Sequence, residues 1–309
     1  MGTRLAGKRA IVTGAGRGIG RTVAELLAAE GAAVVVNDLG AAIDGQGAGS
    51  RVADEVVEAI TAAGGRAVAN YDSVADFDGA ARIVETATRE FGGVDILINN
   101  AGILRDRMIF NMSEEEWDAV VAVHLTGTFN CTRHAARVMR EQRGGRIVSM
   151  SSTSGVYGNS GQANYGAAKD GIAGLTRVVA RELGKYGVTV NAVCPGAATR
   201  MTQTVTEQAR SKRGRAGVAS AAGTRPATLE YTGPENVAPW VVYLTTDAAS
   251  HVNGKVFFAM GGLIALLDDP APVRTIEKQG GRWTPEEIRL AFSRTLGMDL
   301  VNPAPPKIE

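Results

Sequence analysis

Short apolar runs alternate with longer segments of mixed polarity along most of the chain. Each run is four or five residues long and leads into glycine or polar residues, a pattern typical of buried strands. In the longer segments apolar residues recur at helical spacing, as at Val23, Leu26 and Leu27. The runs lie at residues 10–13, 33–36, 67–71, 95–99, 147–150, 189–193 and 255–259. This alternation predicts an α/β fold with a Rossmann-like, doubly wound parallel sheet.

The pattern contains no internal repeat and no obvious linker between domains. We therefore expect a single dinucleotide-binding domain over residues 1–262 and a C-terminal extension over residues 263–309. Residues 202–233 are polar, basic and poor in apolar periodicity, and a long segment after a late strand often serves as a substrate lid. The extension has one clear helix start, with Thr284 as N-cap and Glu287 three residues later.

The first apolar run leads into a glycine-rich loop and then into a helix. Glycines between Gly14 and Gly20 would let a phosphate approach the backbone, and free N–H groups with the helix dipole would favour its negative charge. The spacing is not the commoner GxGxxG, so an ordinary glycine-rich turn is an alternative at this point. The loop indicates a pyrophosphate-binding site.

The second apolar run ends at Asp38, about 20 residues beyond the glycine loop. An acid at this position can hydrogen-bond the ribose hydroxyls of a dinucleotide, and its carboxylate would repel a 2′-phosphate. Arg17 could instead favour NADP, although it could equally lie on a solvated surface. Asp38 therefore predicts NAD as the cofactor.

Polar and small residues at the ends of later strands extend the predicted cofactor site, since ligands of such sheets bind at the carboxyl ends of the strands. Asp72 could face the adenine ring, or it could cap the helix that follows. The predicted cofactor residues are Thr13, Gly14, Arg17, Gly18, Ile19, Gly20, Asp38, Asp72, Ser73, Asn99, Ala101, Gly102, Tyr165, Lys169, Pro195 and Gly196.

A hydroxyl, a phenol and an ammonium are expected to converge near this site. Tyr165 and Lys169 are four residues apart on a predicted helix and so share a face, while Ser152 follows a buried strand thirteen residues before Tyr165. An ammonium about 5 Å from the phenol, at an effective dielectric near 20, would contribute roughly 3 kcal/mol, or about two pKa units. Lys169 is thus predicted to lower the pKa of Tyr165 toward that of a working base.

Composition excludes several other kinds of function. The net charge is +1, and positive and negative residues are mixed along the chain. This pattern does not indicate a protein that binds nucleic acid or a membrane surface. Cys131 and Cys194 form no disulfide framework, and the three histidines form no ligand cluster, so no metal site is expected. Without a membrane-spanning run or a signal peptide, the chain is predicted to be a cytoplasmic protein.

These motifs together resemble the short-chain dehydrogenase/reductase superfamily over residues 5–262. The match rests on Thr13, Gly14, Gly18, Gly20, the run Asn99-Asn100-Ala101-Gly102, Ser152, Tyr165 and Lys169. Further segments resemble the (3R)-hydroxyacyl-CoA dehydrogenase domain of the peroxisomal multifunctional enzyme, also classed as 17β-hydroxysteroid dehydrogenase type 4, and its stand-alone bacterial relatives. They are residues 36–40, 69–74, 100–107, 157–165 and 200–204.

The resemblance implies NAD-dependent oxidation of a secondary alcohol to a ketone. The implied substrate is a 3-hydroxyacyl-CoA from the β-oxidation of fatty acids or steroid side chains, and basic residues such as Arg105 and Arg107 could meet the CoA phosphates. It also implies that Lys169 holds the nicotinamide ribose and that the chain forms a homodimer or homotetramer. The alternatives are an NADPH-dependent 3-ketoacyl thioester reductase, a dehydrogenase of free hydroxysteroids and a non-catalytic protein that senses the cofactor.

The chain departs from the superfamily at one position. Where the superfamily has a catalytic Asn that supports a water-linked proton relay to the lysine, this chain has His124. The resembled subgroup shares the departure. His124 is therefore either a fourth catalytic residue or a buried structural histidine.

Overall fold

One sheet organises the residues that the structure describes. In this computed structural model they are residues 2–47, 49, 51–197 and 233–303, and within them the strands lie in the order β3-β2-β1-β4-β5-β6-β7-β8. Their bounds are β1 Arg9–Thr13, β2 Ala33–Asn37, β3 Arg66–Asn70, β4 Ile96–Asn99, β5 Gly145–Met150, β6 Val188–Pro195, β7 Val256–Met260 and β8 Leu263–Leu266. All neighbouring pairs are parallel except β7 and β8. The predicted doubly wound α/β fold is confirmed.

Helices connect the strands and cover both faces of the sheet. Their bounds are α1 Gly18–Ala29, α2 Arg51–Ala62, α3 Phe77–Phe91, α4 Glu114–Val121, α5 Gly127–Gln142, α6 Thr153–Val156, α7 Ala163–Leu183, α8 Ala238–Tyr243 and α9 Pro285–Phe292. From sequence alone, Ser113 as an N-cap and the acids that follow it favour one long helix that runs to about Gln142. The structure instead interrupts it with a π-helical turn, Ala122–Thr126, which places His124 between α4 and α5.

Alternation along the strands separates two apolar layers. Val12 and Ile98 pack with α1, α2 and α8 on one face, whereas Ile11 and Leu97 pack with α3, α5 and α7 on the other. Because side chains of a strand point to opposite faces in turn, strands this apolar must be covered on both sides. The paired layers fix the sheet on which the site is built.

The chain reverses its direction of winding beside β1. From β1 it passes to β2 and β3, and it then returns as β4 on the opposite side of β1. A crevice opens at such a switch point, outside the carboxyl ends of the strands. The loops after β1, β2 and β4 therefore meet where a ligand can bind.

The sheet continues past residue 262, because β8 pairs antiparallel with β7. In the extension beyond it, Thr284 and Glu287 form the predicted capping box at the start of α9. That helix has no buried residue, and its apolar side chains Ile288 and Leu290 are exposed. The proposed substrate lid at 202–233 lies outside the described residues, apart from Gly233.

Candidate active site

The glycine loop has a backbone that only glycine accepts readily. Gly14 and Gly18 have φ values of +62° and +54°, in the left-handed region. A Cβ on Gly14 would lie 2.7 Å from the Cα of Ala101, so the loop is pressed against the end of β4. The side-chain amide of Asn100 fixes this contact by donating to the carbonyls of Thr13 (3.0 Å) and Gly14 (2.9 Å). Asn100 was not among the predicted residues.

The N-terminus of α1 opens onto a pocket. Gly14, Arg17, Gly18 and Ile19 line it, and within the described chain α1 has neither a side-chain cap nor an acid in its first turn. Its first N–H groups are therefore available to an anion, which the helix dipole also favours. The loop and the helix end fit a pyrophosphate.

Asp38 lies in the same pocket with its carboxylate held in place. One oxygen accepts the Gly16 N–H at 2.8 Å and the other accepts the Gly40 N–H at 2.7 Å. Each carboxylate oxygen has further capacity to accept a hydrogen bond from a ribose hydroxyl. The exposed Arg17 lines the pocket as well.

The structure places the remaining predicted cofactor residues in three groups. Asp72, Ser73, Ala101 and Gly102 line the pocket. Thr13, Gly20 and Asn99 support the strand ends below it, and Pro195 and Gly196 end β6 at the same edge of the sheet.

Two of these side chains have partners that bear on their predicted roles. Asp72 forms an ion pair with Arg82 at 2.7 Å, and Asp76, rather than Asp72, caps α3. The Asn99 amide donates to Thr132 and Ser149, away from the pocket lining. The pocket therefore contains Asn100 where the sequence suggested Asn99.

The three predicted catalytic groups come together beside this pocket. Ser152 follows β5 and caps α6, while Tyr165 and Lys169 share one face of α7. The Lys169 ammonium lies 5.5 Å from the centre of the Tyr165 ring and donates to the carbonyl of Met150. The Ser152 hydroxyl is close enough to Tyr165 to lower the phenol's pKa by hydrogen bonding.

Burial dominates the titration of this pair. It raises the pKa of Tyr165 to about 12, outweighing the Ser152 hydrogen bond, and it lowers the pKa of Lys169 to about 7. The net effect is a raised pKa for the phenol, whereas the sequence predicted that Lys169 would lower it. Desolvation disfavours both charged forms, and a lysine with a pKa near 7 carries only part of its charge at neutral pH.

His124 is almost fully buried against the catalytic pair. Its ring meets the Tyr165 ring edge-on, with 5.1 Å between centroids, and Nε2 lies 3.1 Å from the Ile103 nitrogen and 2.8 Å from the Ile103 oxygen. Burial, and then the nearby Lys169 charge, lower the pKa of His124 well below its usual range, so the ring is neutral. Its Nδ1 is buried and finds no hydrogen-bond partner among the described residues.

A fully buried amide fixes the start of α7. Asn164 donates to the carbonyls of Arg105 (3.0 Å) and Glu116 (2.9 Å), and its oxygen accepts the Tyr165 N–H at 2.7 Å. The neighbouring Gln162 donates to Asp106 at 2.9 Å. Sequence reasoning missed these residues, although an asparagine directly before a candidate catalytic tyrosine was the available signal.

The loop after β2 passes over the pocket. Residues 40–47, here called the strap, contribute Ala41, Ala42, Ile43 and Gly45 to the lining. The Ile43 carbonyl accepts the Leu104 N–H at 2.9 Å, which joins the strap to the segment after β4. The glycines and polar residues between Gly40 and Ser50 favour a loop from sequence alone, but they give no sign of this crossing.

Arg105 and Arg107 are engaged within the protein. Arg105 pairs with Glu115 at 3.0 Å and Arg107 pairs with Glu116 at 2.7 Å. A CoA phosphate would have to compete with these carboxylates. Among the described residues no cluster of His, Cys, Asp and Glu is arranged for a metal ion, and none of the helices could cross a membrane.

Comparison with known proteins agrees with this geometry. The sequence model of the family described as short chain dehydrogenase matches residues 8–210. Hydroxyacyl-CoA dehydrogenase ChsB1 of Mycobacterium tuberculosis is 42% identical over 294 residues, 93% of this chain and 87% of that protein. Peroxisomal multifunctional enzyme type 2 of Drosophila melanogaster is 52% identical over 288 residues, 89% of this chain and 44% of that protein.

A solved structure is similar over nearly the whole chain. The crystal structure of a short chain dehydrogenase from Mycobacterium avium has a TM-score of 0.79 and 46% sequence identity, and the match covers 98% of each chain. The similarity therefore includes the extension as well as the sheet.

Proposed function

The chain belongs to the short-chain dehydrogenase family, as its motifs predicted, and we propose that it oxidises a secondary alcohol to a ketone with NAD⁺. One observation carries the proposal: Ser152, Tyr165 and Lys169 converge beside a pocket that is lined by the glycine loop, the N-terminus of α1 and Asp38. The family uses a nicotinamide cofactor, and these residues fit one.

Ser152, Tyr165 and Lys169 would each have a separate role in the oxidation. Ser152 would donate to the substrate oxygen and fix the approach of the alcohol carbon. Tyr165 would take the hydroxyl proton, and Lys169 would stabilise the phenolate that results. Bound NAD⁺ would accept the hydride, and its positive ring would help to lower the pKa of the phenol.

Asp38 supports NAD⁺ over NADP⁺. Its carboxylate is oriented by two backbone N–H groups, so it cannot swing away from an incoming 2′-phosphate without breaking them. The carboxylate would repel the 2′-phosphate of NADP⁺, and NADP⁺ would also lack the ribose hydroxyl that can donate to Asp38. Both effects favour NAD⁺. Arg17 also lines this pocket, but it is exposed, so solvent and salt screen its charge more than that of the partly buried Asp38.

The proposed substrate is a 3-hydroxyacyl-CoA. Support comes from the similarity to hydroxyacyl-CoA dehydrogenase ChsB1, which extends over 93% of this chain. The described residues contribute chemistry that suits any secondary alcohol, so the acyl-CoA class depends on this similarity. A fatty acyl chain and a steroid side chain are the two forms to compare.

We expect the protein to oxidise 3-hydroxyacyl-CoA with NAD⁺ at least tenfold more efficiently than with NADP⁺. The measurement is kcat/KM with each cofactor on straight-chain and steroid-derived 3-hydroxyacyl-CoA. Asp38→Ser is the matched variant, and its preference for NAD⁺ should fall by about tenfold, since a charge repulsion and a hydrogen bond are both removed. A wild-type preference for NADPH-driven ketoacyl reduction would contradict the assignment of NAD⁺ as the cofactor. Nucleotide binding without turnover of any alcohol would contradict the proposal that the protein is an enzyme.

His124 is proposed to act in proton transfer around Lys169. A buried polar atom without a partner commonly holds an ordered water, and Nδ1 is such an atom beside the catalytic pair. A water there could pass protons between the pair and solvent. The neutral state of the imidazole suits this role, because either tautomer can still use Nε2 on Ile103.

We expect His124→Phe to lower kcat about tenfold with little change in the KM for NAD⁺. The variant removes one hydrogen-bonding group from the path of proton transfer, but it keeps an aromatic ring against Tyr165. The pH dependence of kcat and its solvent isotope effect should change as well. Unchanged kcat, pH profile and isotope effect would show that His124 only packs against Tyr165.

A further inference from the structure

Residues 103–107, the segment after β4, contact three parts of the site at once. The Leu104 N–H donates to Ile43 of the strap, and the Arg107 N–H donates to Gly161 just before α7. The Ile103 backbone meets His124. The segment therefore links the cover of the cofactor pocket to the helix that carries Tyr165.

Arg105 is the side chain that reaches from this segment onto the strap. Its Nε donates to the Asp44 carbonyl at 2.9 Å, and its terminal nitrogen pairs with Glu115 of α4 at 3.0 Å. Only 17% of the side chain is exposed, although it bridges two surface elements. The guanidinium thus uses separate donors to tie the strap to α4, which a flat, rigid fork does well.

The rest of the strap is held mainly by its own turn. Ala42 donates to the Gln46 carbonyl and Gly45 donates to the Ala42 carbonyl, both within the strap. At the tip of the strap, residues 43–45, a Cβ added to Gly45 would press on the Ile103 side chain, so the strap and the segment after β4 are already in contact. Among the described residues, the hydrogen bonds that join the tip to the segment after β4 are those of Leu104 and Arg105.

We infer that Arg105 is a positioning residue that keeps the strap closed over the bound nucleotide. The inference rests on the proposed function, because it takes the pocket to be a nicotinamide-nucleotide site. The strap supplies one wall of that pocket, so a strap that moves away would remove contacts that hold a nucleotide there. Without the Arg105 donor, the Leu104 hydrogen bond and the Ile103 contact would be left, among the described residues, to hold the strap against the segment after β4.

The experiment compares Arg105→Met with Arg107→Met, which removes the same charge two residues away. Arg107 pairs with Glu116 instead, and within the described part of the chain its side chain makes no hydrogen bond with the strap. NADH binding is followed by fluorescence, and its dissociation is followed by stopped-flow displacement. Amide hydrogen exchange of residues 40–47 is measured on the nucleotide-free proteins, which gives a readout independent of turnover.

We expect Arg105→Met to raise the Kd and the dissociation rate of NADH about tenfold, as for loss of one charge-assisted hydrogen bond. Exchange of the strap amides should become faster, whereas kcat at saturating cofactor should fall much less than the affinity. Arg105→Lys should lie between Arg105→Met and wild type, since an ammonium can reach one partner but not both. Arg107→Met should stay within twofold of wild type.

Wild-type values of Kd, dissociation rate and strap exchange in Arg105→Met would overturn the inference. Equal effects in Arg105→Met and Arg107→Met would overturn it too, because the cause would then be general charge. If Arg105→Met does not fold, the Arg105→Lys variant decides by the same measurements. Failure of the wild-type protein to bind any nicotinamide nucleotide would instead overturn the proposed function together with this inference.

Discussion

Tyr165→Phe should reduce kcat for alcohol oxidation by about 10²- to 10⁴-fold, the range that general acid–base groups contribute. The phenol is buried beside Ser152 and Lys169, and phenylalanine has no oxygen with which to take the proton of the substrate hydroxyl. The ring remains, and its edge-on contact with His124 should persist. We therefore expect the fold and the Kd for NADH to stay unchanged. Initial rates at saturating substrate, with binding measured separately, test this.

Tyr186→Phe is the matched control. Tyr186 follows α7 at its far end, where its ring contacts Arg143 and Lys185 instead of the site. It should keep wild-type kcat. Turnover by Tyr165→Phe within threefold of wild type would remove the tyrosine from the mechanism. Burial raises the pKa of Tyr165 to about 12, and the deprotonated phenol is the form that acts as a base. The oxidation rate of the wild type should therefore increase toward alkaline pH.

Lys169→Met should lower kcat about 100-fold while leaving the protein at least as stable near pH 6. The ammonium lies 5.5 Å from the centre of the Tyr165 ring, so its loss removes a positive charge that would stabilise the phenolate. The same ammonium is buried, and burial lowers its pKa from 10.5 to about 7. Methionine has a similar length and needs no hydration, so it avoids this desolvation.

The lowered pKa of Lys169 makes the stability of the wild type depend on pH. Between about pH 7 and 10.5 the unfolded lysine holds a proton that the folded one has lost, so the free energy of unfolding of the wild type rises with pH in this window. The slope is about 1.4 kcal/mol for each pH unit. Lys169→Met lacks this contribution. Relative to the wild type it should be most stable at pH 6 and lose about half of this advantage by pH 9, as measured by denaturant unfolding at both values. An identical pH dependence in the two proteins would contradict the lowered pKa.

Local spacing was enough to predict the parts of the site that lie on single elements. Tyr165 and Lys169 share a helix face because they are four residues apart, and the glycine loop forms because it joins an apolar strand to a helix. Both follow from backbone geometry over a few residues. The class of fold, a doubly wound parallel sheet, likewise followed from the alternation of apolar runs with helical segments.

Features that depend on distant contacts could not be predicted in this way. The pKa of Tyr165 is set by how completely other elements bury it, and a single pair of residues carries no measure of that burial. Asn164 holds the start of α7 through carbonyls 59 and 48 residues away in sequence. The strap crosses from β2 to β4 for the same reason, since Ile43 and Leu104 meet only in the folded chain.

The π-helical turn Ala122–Thr126 also bears on which changes in chain length the protein would tolerate. A π turn accommodates one residue more than the α-helix it interrupts, and each residue turns an α-helix by about 100°. Deleting a single residue there, other than His124, would convert the turn to α-helix and leave α5 in its orientation relative to α4. Deleting a residue between Cys131 and Ala135 would instead rotate Ala135 and Met139 out of the core that they now fill. Single deletions should therefore be tolerated within the π turn and should destabilise the protein when they fall within α5 beyond Cys131.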